Sequence, residues 1–143
     1  MAGSVADGVF IRVSTHPANI KTAVEAIRAG AVDAGRDPAS VRLGAVFHTV
    51  LVDDPGRALT MAKSMAAGYY EYSPALFEPP RLAWTGADPE TLKRKHKVWP
   101  DFHHATDREA SGRLVDFLPE SAADAFSLRG APDRVARCRP TTS

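Results

Sequence analysis

The sequence predicts an α/β fold in which a helix joins two parallel strands and a helix-rich C-terminal region follows. The first strand is predicted at about residues 8–13, where an almost continuous apolar run extends from Val9 to Val13. The second is predicted at about residues 42–52, where the side chains pointing to both faces are largely apolar. Such strands are typical of a parallel sheet that is covered on both sides. Between them, residues 17–34 repeat apolar side chains at helical spacing, which completes a strand–helix–strand unit.

Polar side chains follow the first strand at the point where it is expected to end. Arg12, Ser14, Thr15 and His16 precede Pro17, a residue suited to the first turn of a helix. In α/β folds the chemistry gathers at the carboxyl ends of parallel strands, so this junction is the best candidate for a site. It could be an anion-binding lip beside the positive end of the helix. It could equally be a helix cap formed by Ser14 or Thr15, with Arg12 solvated.

Helix start and stop signals place the remaining elements. A left-handed cap at Gly35 is expected to end the first helix, and prolines in first turns open several later ones. Residues 68–80 are aromatic and broken by prolines, so short helical turns are expected there. The predicted helices are residues 17–34, Pro55 to about Ala67, Pro89 to about Lys97, one opened by a capping box of Thr106 and Glu109, Pro119 to Phe126 or Leu128, and a short one at Pro132.

The composition is that of one soluble globular domain. Eighteen basic and 17 acidic residues give a net charge of +1 over 143 residues, which argues against a nucleic-acid-binding protein. The single cysteine, Cys138, excludes an internal disulfide and a cysteine-rich zinc site. No apolar run is long enough to cross a membrane, and the N-terminus does not read as a signal peptide. We therefore expect a cytoplasmic protein that binds neither nucleic acid nor membrane.

Histidines, carboxylates and lysines cluster in the second half of the chain. Imidazole and carboxylate side chains suit zinc or iron, but their spacing here fits no standard ligand pattern, so no metal site is predicted. His48, inside the second strand, is interpreted first as a core histidine and second as a residue facing the cavity. Lys95 and His96 fit a solvated basic helix end, which the helix dipole favours. The potential metal ligands considered are His96, Asp101, His103, His104 and Asp107.

Four passages stand out in order along the chain: Ala6-Asp7-Gly8-Val9-Phe10-Ile11, Ala34-Gly35-Arg36-Asp37-Pro38, Val52-Asp53-Asp54-Pro55 and Leu128-Arg129-Gly130-Ala131-Pro132. Together they resemble the C-terminal half of the luciferase-like monooxygenases, which are flavin- or coenzyme F420-dependent TIM-barrel oxidoreductases. A further passage, from Lys95 to His104, resembles the deazaflavin-using branch of that family.

This resemblance implies a fold, a chemistry and a cavity. The two strands would be the sixth and seventh strands of a (β/α)8 barrel. The parent chemistry would be hydride transfer between coenzyme F420, or less favourably FMN, and a small organic substrate. The loop carrying Arg12, Ser14, Thr15 and His16 would line the cofactor and substrate cavity. Lys95, next to His96, would reach an anionic group of the substrate.

Departures from the family pattern lead to further expectations. A TIM barrel needs about 250 residues, so this chain would be an incomplete barrel without the first five strands and the eighth. We expect residues 1–137 to be the C-terminal part of such a barrel and residues 138–143 to be a tail outside the family. Such a truncated, frameshifted or deliberately cut piece is expected to be inactive alone, and no catalytic acid or base is assigned. The alternative is a non-catalytic α/β module that associates with itself or with an N-terminal half-barrel partner.

Overall fold

The computed structural model describes residues 1–137, which fall into two compact units divided between Phe47 and His48. Each unit contains one two-stranded parallel sheet. The first unit comprises α1 (Ala2–Val5), β1 (Gly8–Ile11), α2 (Pro17–Asp33), a 3₁₀ turn (Pro38–Ser40) and β2 (Arg42–Ala45). The second comprises β3 (His48–Leu51), α3 (Pro55–Tyr72), 3₁₀ turns (Pro74–Phe77 and Pro80–Leu82), α4 (Pro89–His96), α5 (Arg108–Leu114), α6 (Glu120–Phe126), β4 (Ser127–Gly130) and α7 (Pro132–Val135).

In the first unit, β1, α2 and β2 form the predicted strand–helix–strand unit. The strands β1 and β2 are parallel, and Val9 lies opposite Leu43 in the register. One face of this sheet packs on α2, where Val9 and Ile11 contact a buried cluster that includes Ile27. On the other face the ring of Phe10 lies over Gly44 and is 78% exposed. This small sheet is therefore covered on one side only, whereas the sequence predicts cover on both.

Helix α2 begins and ends through local signals in the sequence. Pro17 occupies its first turn, and the cap is His16, whose Nδ1 accepts a hydrogen bond from the N–H of Ala18 at 3.3 Å. The expected caps, Ser14 and Thr15, do not have this role. At the other end Gly35 has a φ of 67°, the left-handed conformation that glycine adopts without strain and that the sequence predicts there.

The strand predictions require a correction. The described residues contain four strands, because the region predicted as one strand over residues 42–52 divides into β2 and β3. These halves have different partners: β2 pairs with β1, whereas β3 pairs in parallel with β4. The sequence predicts no strand at β4, and the first strand ends at Ile11 instead of residue 13. It stops there because the backbone soon enters a left-handed conformation at Ser14, with a φ of 85°.

In the second unit, α3 lies at the centre of the core and packs against α5, α6 and β4. It extends to Tyr72, beyond the predicted end near Ala67, because Gly68 is a packing position and not a stop signal. A Cβ atom at Gly68 would lie 2.4 Å from the ring of His103. The largest fully buried side chains of this unit are Phe102, Phe126, Leu82, Leu118 and Val115.

The other helices of the second unit follow the sequence signals with small differences. Helix α4 starts at Pro89, and Asp88 accepts a hydrogen bond from the N–H of Thr91 at 2.9 Å. Helix α5 is capped by Asp107, one residue after the Thr106 predicted from the capping-box pattern. The side chain of Asp107 accepts from the N–H of Ala110 at 2.8 Å.

We predict that Gly112→Ala destabilises the protein, because a Cβ at Gly112 would lie 2.0 Å from the carbonyl oxygen of Thr60 on α3. Overpacking of this kind costs about 1–3 kcal/mol, which exceeds the gain of about 1 kcal/mol from replacing glycine by alanine in a helix. The free energy of unfolding from urea titrations measures the effect. The matched control is Gly56→Ala, where the nearest atom lies 3.4 Å away. Equal stabilities of the two variants would contradict the predicted close packing of α3 and α5.

Candidate functional site

The polar loop after β1 is built around a buried serine. Ser14 is 3% exposed, and its φ of 85° is unusual for a residue other than glycine. Its Oγ accepts hydrogen bonds from the N–H of His16 at 3.1 Å and from Nδ2 of Asn19 at 3.0 Å. Such strained residues persist only where surrounding contacts hold them, and they cluster at functional sites. The loop is thus a defined turn at the carboxyl end of a strand.

The sequence-predicted residues of this loop lie on the same turn but have different roles. Ser14 faces inwards and His16 caps α2. One hydrogen bond, from the N–H of His16 to Oγ of Ser14, links the two residues. Arg12 and Thr15 are exposed. The loop therefore presents a guanidinium and a hydroxyl to solvent next to the positive end of a 17-residue helix, an arrangement that favours an anion.

Lys95 and His96 lie in the other unit, in the last turn of α4. Both side chains are exposed, and no carboxylate in the described part of the chain forms a salt bridge with Lys95. The neighbouring Lys93 instead binds Glu71 at 2.8 Å and Glu90 at 3.2 Å. These ion pairs, led by the hydrogen bond that Lys93 donates to Glu71, raise the pKa of Lys93. Lys93 therefore links α4 to Glu71 on α3, whereas the side chain of Lys95 is exposed.

An open cleft of about 470 Å³ runs beside the end of α4. The ring of Trp99 is 80% exposed there, which is unusual for so large an apolar side chain. His96 lines this cleft, but Lys95 does not. Its lining residues are His96, Lys97, Val98, Trp99, Ala105, Thr106, Asp107, Ala110, Ser111 and Leu114.

The turn between α4 and α5 contains a polar cluster that the sequence does not predict, since Asp101 and His104 stand out there only as potential metal ligands. Asp101 is 5% exposed, and both of its carboxylate oxygens lie 2.9 Å from Nδ1 of His104. The hydroxyl of Tyr72, at the end of α3, donates to Oδ2 of Asp101 at 2.7 Å. The backbone N–H of His104 donates to Oδ1 at 2.9 Å. A buried carboxylate thus accepts hydrogen bonds from three donor groups on two residues.

The hydrogen bonds on Asp101 set its ionisation. Burial alone would raise the pKa of this carboxyl group, but the donors from His104 and Tyr72 outweigh it and lower the pKa from 3.8 to about 2. The same contact raises the pKa of Tyr72, because its hydroxyl donates to a carboxylate. Asp101 is therefore ionised at neutral pH although it is buried.

A second set of rings lies beside this cluster. His103 is 4% exposed, and its ring centroid is 4.7 Å from that of His48 and 4.9 Å from that of Tyr69. His48 is partly buried in β3, and its ring packs edge-on against Tyr69. The two histidines adjacent in sequence point to different environments, since His103 is in the core and His104 is largely exposed.

Two classes of feature are not found in the described part of the chain. Within residues 1–137, no three histidine, cysteine, aspartate or glutamate side chains converge on a point that could hold a metal ion. In the same residues, no helix combines the length and the apolar character needed to span a bilayer. Cys138 and the rest of the predicted tail, residues 138–143, lie outside the described residues.

The family assignment follows from comparison with known proteins. The model of the luciferase-like monooxygenase family matches residues 1–137, so this chain belongs to that family, as the sequence motifs indicate. The individual relatives that the chain matches have more specific names than the family. A 5,10-methylenetetrahydromethanopterin reductase of Methanolobus tindarius is 34% identical over 134 residues, and one of Methanopyrus kandleri is 28% identical over 134 residues. These alignments cover 93% and 94% of this chain but only 37% and 35% of the relatives.

A solved structure supports the fold. The coenzyme F420-dependent tetrahydromethanopterin reductase of Methanopyrus kandleri matches with a TM-score of 0.51 and 23% sequence identity. The match covers 94% of this chain and 35% of the reductase chain. That reductase is a TIM barrel, so the prediction of an α/β fold corresponding to a portion of such a barrel is confirmed. The chain spans little more than a third of the length of these relatives.

We predict that Asp101 makes stability depend on pH in acid. Its pKa in the folded protein is lower than in the unfolded chain, so its contribution is present above about pH 4 and is lost as the pH falls towards 2. The shift corresponds to about 2 kcal/mol. Urea unfolding between about pH 5 and pH 2 measures the free energy of unfolding. The amount by which the wild type exceeds Asp101→Asn in this free energy should shrink as the pH falls. The control Asp53→Asn, at an exposed position, should retain the wild-type pH dependence; a constant gap between wild type and Asp101→Asn would refute the prediction.

Proposed function

We propose that this chain is part of a luciferase-like oxidoreductase whose parent activity is hydride transfer between coenzyme F420 and a small organic substrate. Membership of the family supports this proposal, as do relatives that are named reductases. Coenzyme F420 is favoured over FMN because the matching solved structure is that of a coenzyme F420-dependent reductase. The chain's single cysteine fits a reducing, cytoplasmic location.

In this proposal the loop after β1 forms one wall of the cofactor and substrate cavity. Arg12 and the N-terminus of α2 attract an anionic group, while Ser14 and His16 hold the turn in shape and Thr15 offers a hydroxyl. The exposed cation and the positive helix end suit the anionic part of a cofactor. When bound, the deazaflavin supplies the hydride chemistry, and the protein groups orient it.

Lys95 and His96 are proposed to act on the substrate side. Lys95 has no carboxylate partner among residues 1–137 and reaches solvent from the last turn of α4. As a compact cation on a flexible stem, it suits an anionic group such as a carboxylate. His96 lies in the wall of the cleft beside Trp99, where it can contact a ligand bound in that cleft.

Titration of the purified chain with coenzyme F420 and, separately, with FMN tests this proposal through the fluorescence of the cofactor. We expect saturable F420 binding with a Kd below about 100 µM, which corresponds to about 5.5 kcal/mol, and weaker FMN binding. Arg12→Gln should weaken F420 binding about tenfold, as expected for the loss of one charge-assisted hydrogen bond. Arg28→Gln, an equal charge change on the exposed face of α2, is the control. Absence of saturable F420 binding, or equal effects of both variants, would count against the proposed cavity wall.

A second candidate function is supported by the uncovered face of the β1–β2 sheet. Phe10, on this face, is 78% exposed, and the sheet has only two strands within the described residues. Unpaired strand edges and exposed apolar faces favour association with another chain. In this alternative the chain is an α/β module that binds a second copy of itself or a partner carrying further strands of the barrel.

We predict that Phe10→Lys suppresses self-association of the chain, because it replaces the exposed ring by a charge on this face. Sedimentation velocity over a range of protein concentrations measures the fraction of dimer. Ala26→Lys, which adds the same charge at an exposed position of α2, should leave the wild-type behaviour unchanged. A monomeric wild-type chain, or a dimer that is insensitive to Phe10→Lys, would rule out this face as the contact between copies.

A further inference from the structure

The contacts of Asp101 orient an exposed imidazole. The side chain of His104 is 64% exposed, whereas that of Asp101 is 8% exposed. Only Nδ1 of His104 faces the carboxylate, at 2.9 Å from both oxygens. The opposite ring nitrogen, Nε2, therefore points away from Asp101.

The ionised carboxylate also determines which nitrogen carries the proton. A carboxylate can only accept hydrogen bonds, so the nitrogen facing it must be the donor. In the neutral ring this leaves the lone pair on Nε2, where it can accept a proton from another molecule.

A purely structural turn does not require this arrangement. The backbone N–H of His104 already donates to Oδ1 of Asp101, and a neutral acceptor such as asparagine would also satisfy this contact. Burying a carboxylate costs folding free energy unless several donors compensate for it. Here the compensating donors come from His104 and Tyr72, two residues whose side chains could be solvated instead.

We propose that His104, Asp101 and Tyr72 form a proton-transfer site, in which Nε2 of His104 is the atom that exchanges a proton with the substrate. Asp101 is a positioning residue, and Tyr72 in turn positions Asp101. This inference rests on the proposed function, in which a hydride is transferred. The site also supplies an acid or base that the sequence motifs do not identify.

The chemical class of substrate follows from the balance of hydride transfer. When bound, the deazaflavin would supply the two-electron acceptor that takes a hydride from the carbon of an alcohol or amine. The heteroatom of that substrate loses a proton to Nε2 of His104, and the electron pair of the broken O–H or N–H bond completes the new double bond to carbon. In the reverse direction, the imidazolium returns this proton to the reduced carbonyl or imine. The site is therefore suited to a substrate with a protonatable oxygen or nitrogen on the reacting carbon.

Two measurements on the full chain test the site directly. Nitrogen-15 NMR of the imidazole rings should show neutral His104 protonated on Nδ1, and Asp101→Asn should shift this ring towards protonation on Nε2. Acylation by diethyl pyrocarbonate, followed by peptide mass spectrometry, should modify His104 about three- to tenfold faster than His96, because the hydrogen bond from Nδ1 to Asp101 leaves the lone pair on the exposed Nε2, which attacks the reagent. The reaction is run at about pH 9, well above the usual histidine pKa of about 6.5.

His96 serves as the internal control, since it is exposed on α4 and has no carboxylate partner among the described residues. Asp101→Asn should lower the acylation rate of His104 to that of His96. Tyr72→Phe leaves the carboxylate in place and should cause a smaller decrease, so it provides the test if Asp101→Asn does not fold. His104 protonated on Nε2 in the wild type, or acylated no faster than His96, would overturn the proposal.

The fluorescence titration with coenzyme F420 separates this inference from the proposed function. His104→Gln should bind F420 as tightly as the wild type, because His104 acts on the substrate's proton and not on cofactor affinity. If the wild type does not bind F420, the assignment of the site to hydride transfer is overturned, whatever the NMR result. Normal F420 binding together with an unreactive His104 overturns the proton-transfer site and leaves the proposed function intact.

Discussion

The second unit depends on how closely other elements approach the backbone of α3. Small side chains along this helix, including Ala58, Ala62 and Ala66, are fully buried and allow neighbouring helices to pack against it. At Gly112 the backbone of α5 lies so near Thr60 that there is no room for a Cβ atom. Interiors packed at this density do not absorb added volume without strain. The position of α3 therefore sets the positions of α5, α6 and β4.

The same helix positions the polar cluster. Its last turn carries Tyr72, which donates to Asp101, and Glu71, whose Oε2 accepts a hydrogen bond from the N–H of Phe102 at 2.9 Å. One turn earlier, Gly68 leaves room for the ring of His103. The turn over residues 101–104 is thus held by the end of α3, and His104 is oriented as a consequence of core packing. A site built on a rigid element in this way keeps its geometry better than one on a free loop.

The first unit shows another way of building a polar site, in which the backbone is the constraint. The chain turns at Ser14 through a left-handed conformation that costs free energy for any residue except glycine. Hydrogen bonds from His16 and Asn19 to the buried Oγ compensate for this cost, and glycine at this position could not supply them. The turn ends β1 and starts α2, so it fixes which side chains of the loop reach solvent.

Much of the local structure could be predicted from the sequence, because its causes are local. Pro17, Gly35 and Asp88 act on the residues next to them in the chain, and the helices that they bound were predicted at nearly the right places. The family motifs likewise indicated a portion of a TIM barrel. Only the tertiary structure decided that residues 42–52 divide between two sheets, because strand pairing depends on partners distant in sequence. It alone also brought Tyr72 to Asp101 across 29 positions of the chain, a contact made by helix packing that no spacing in the sequence encodes.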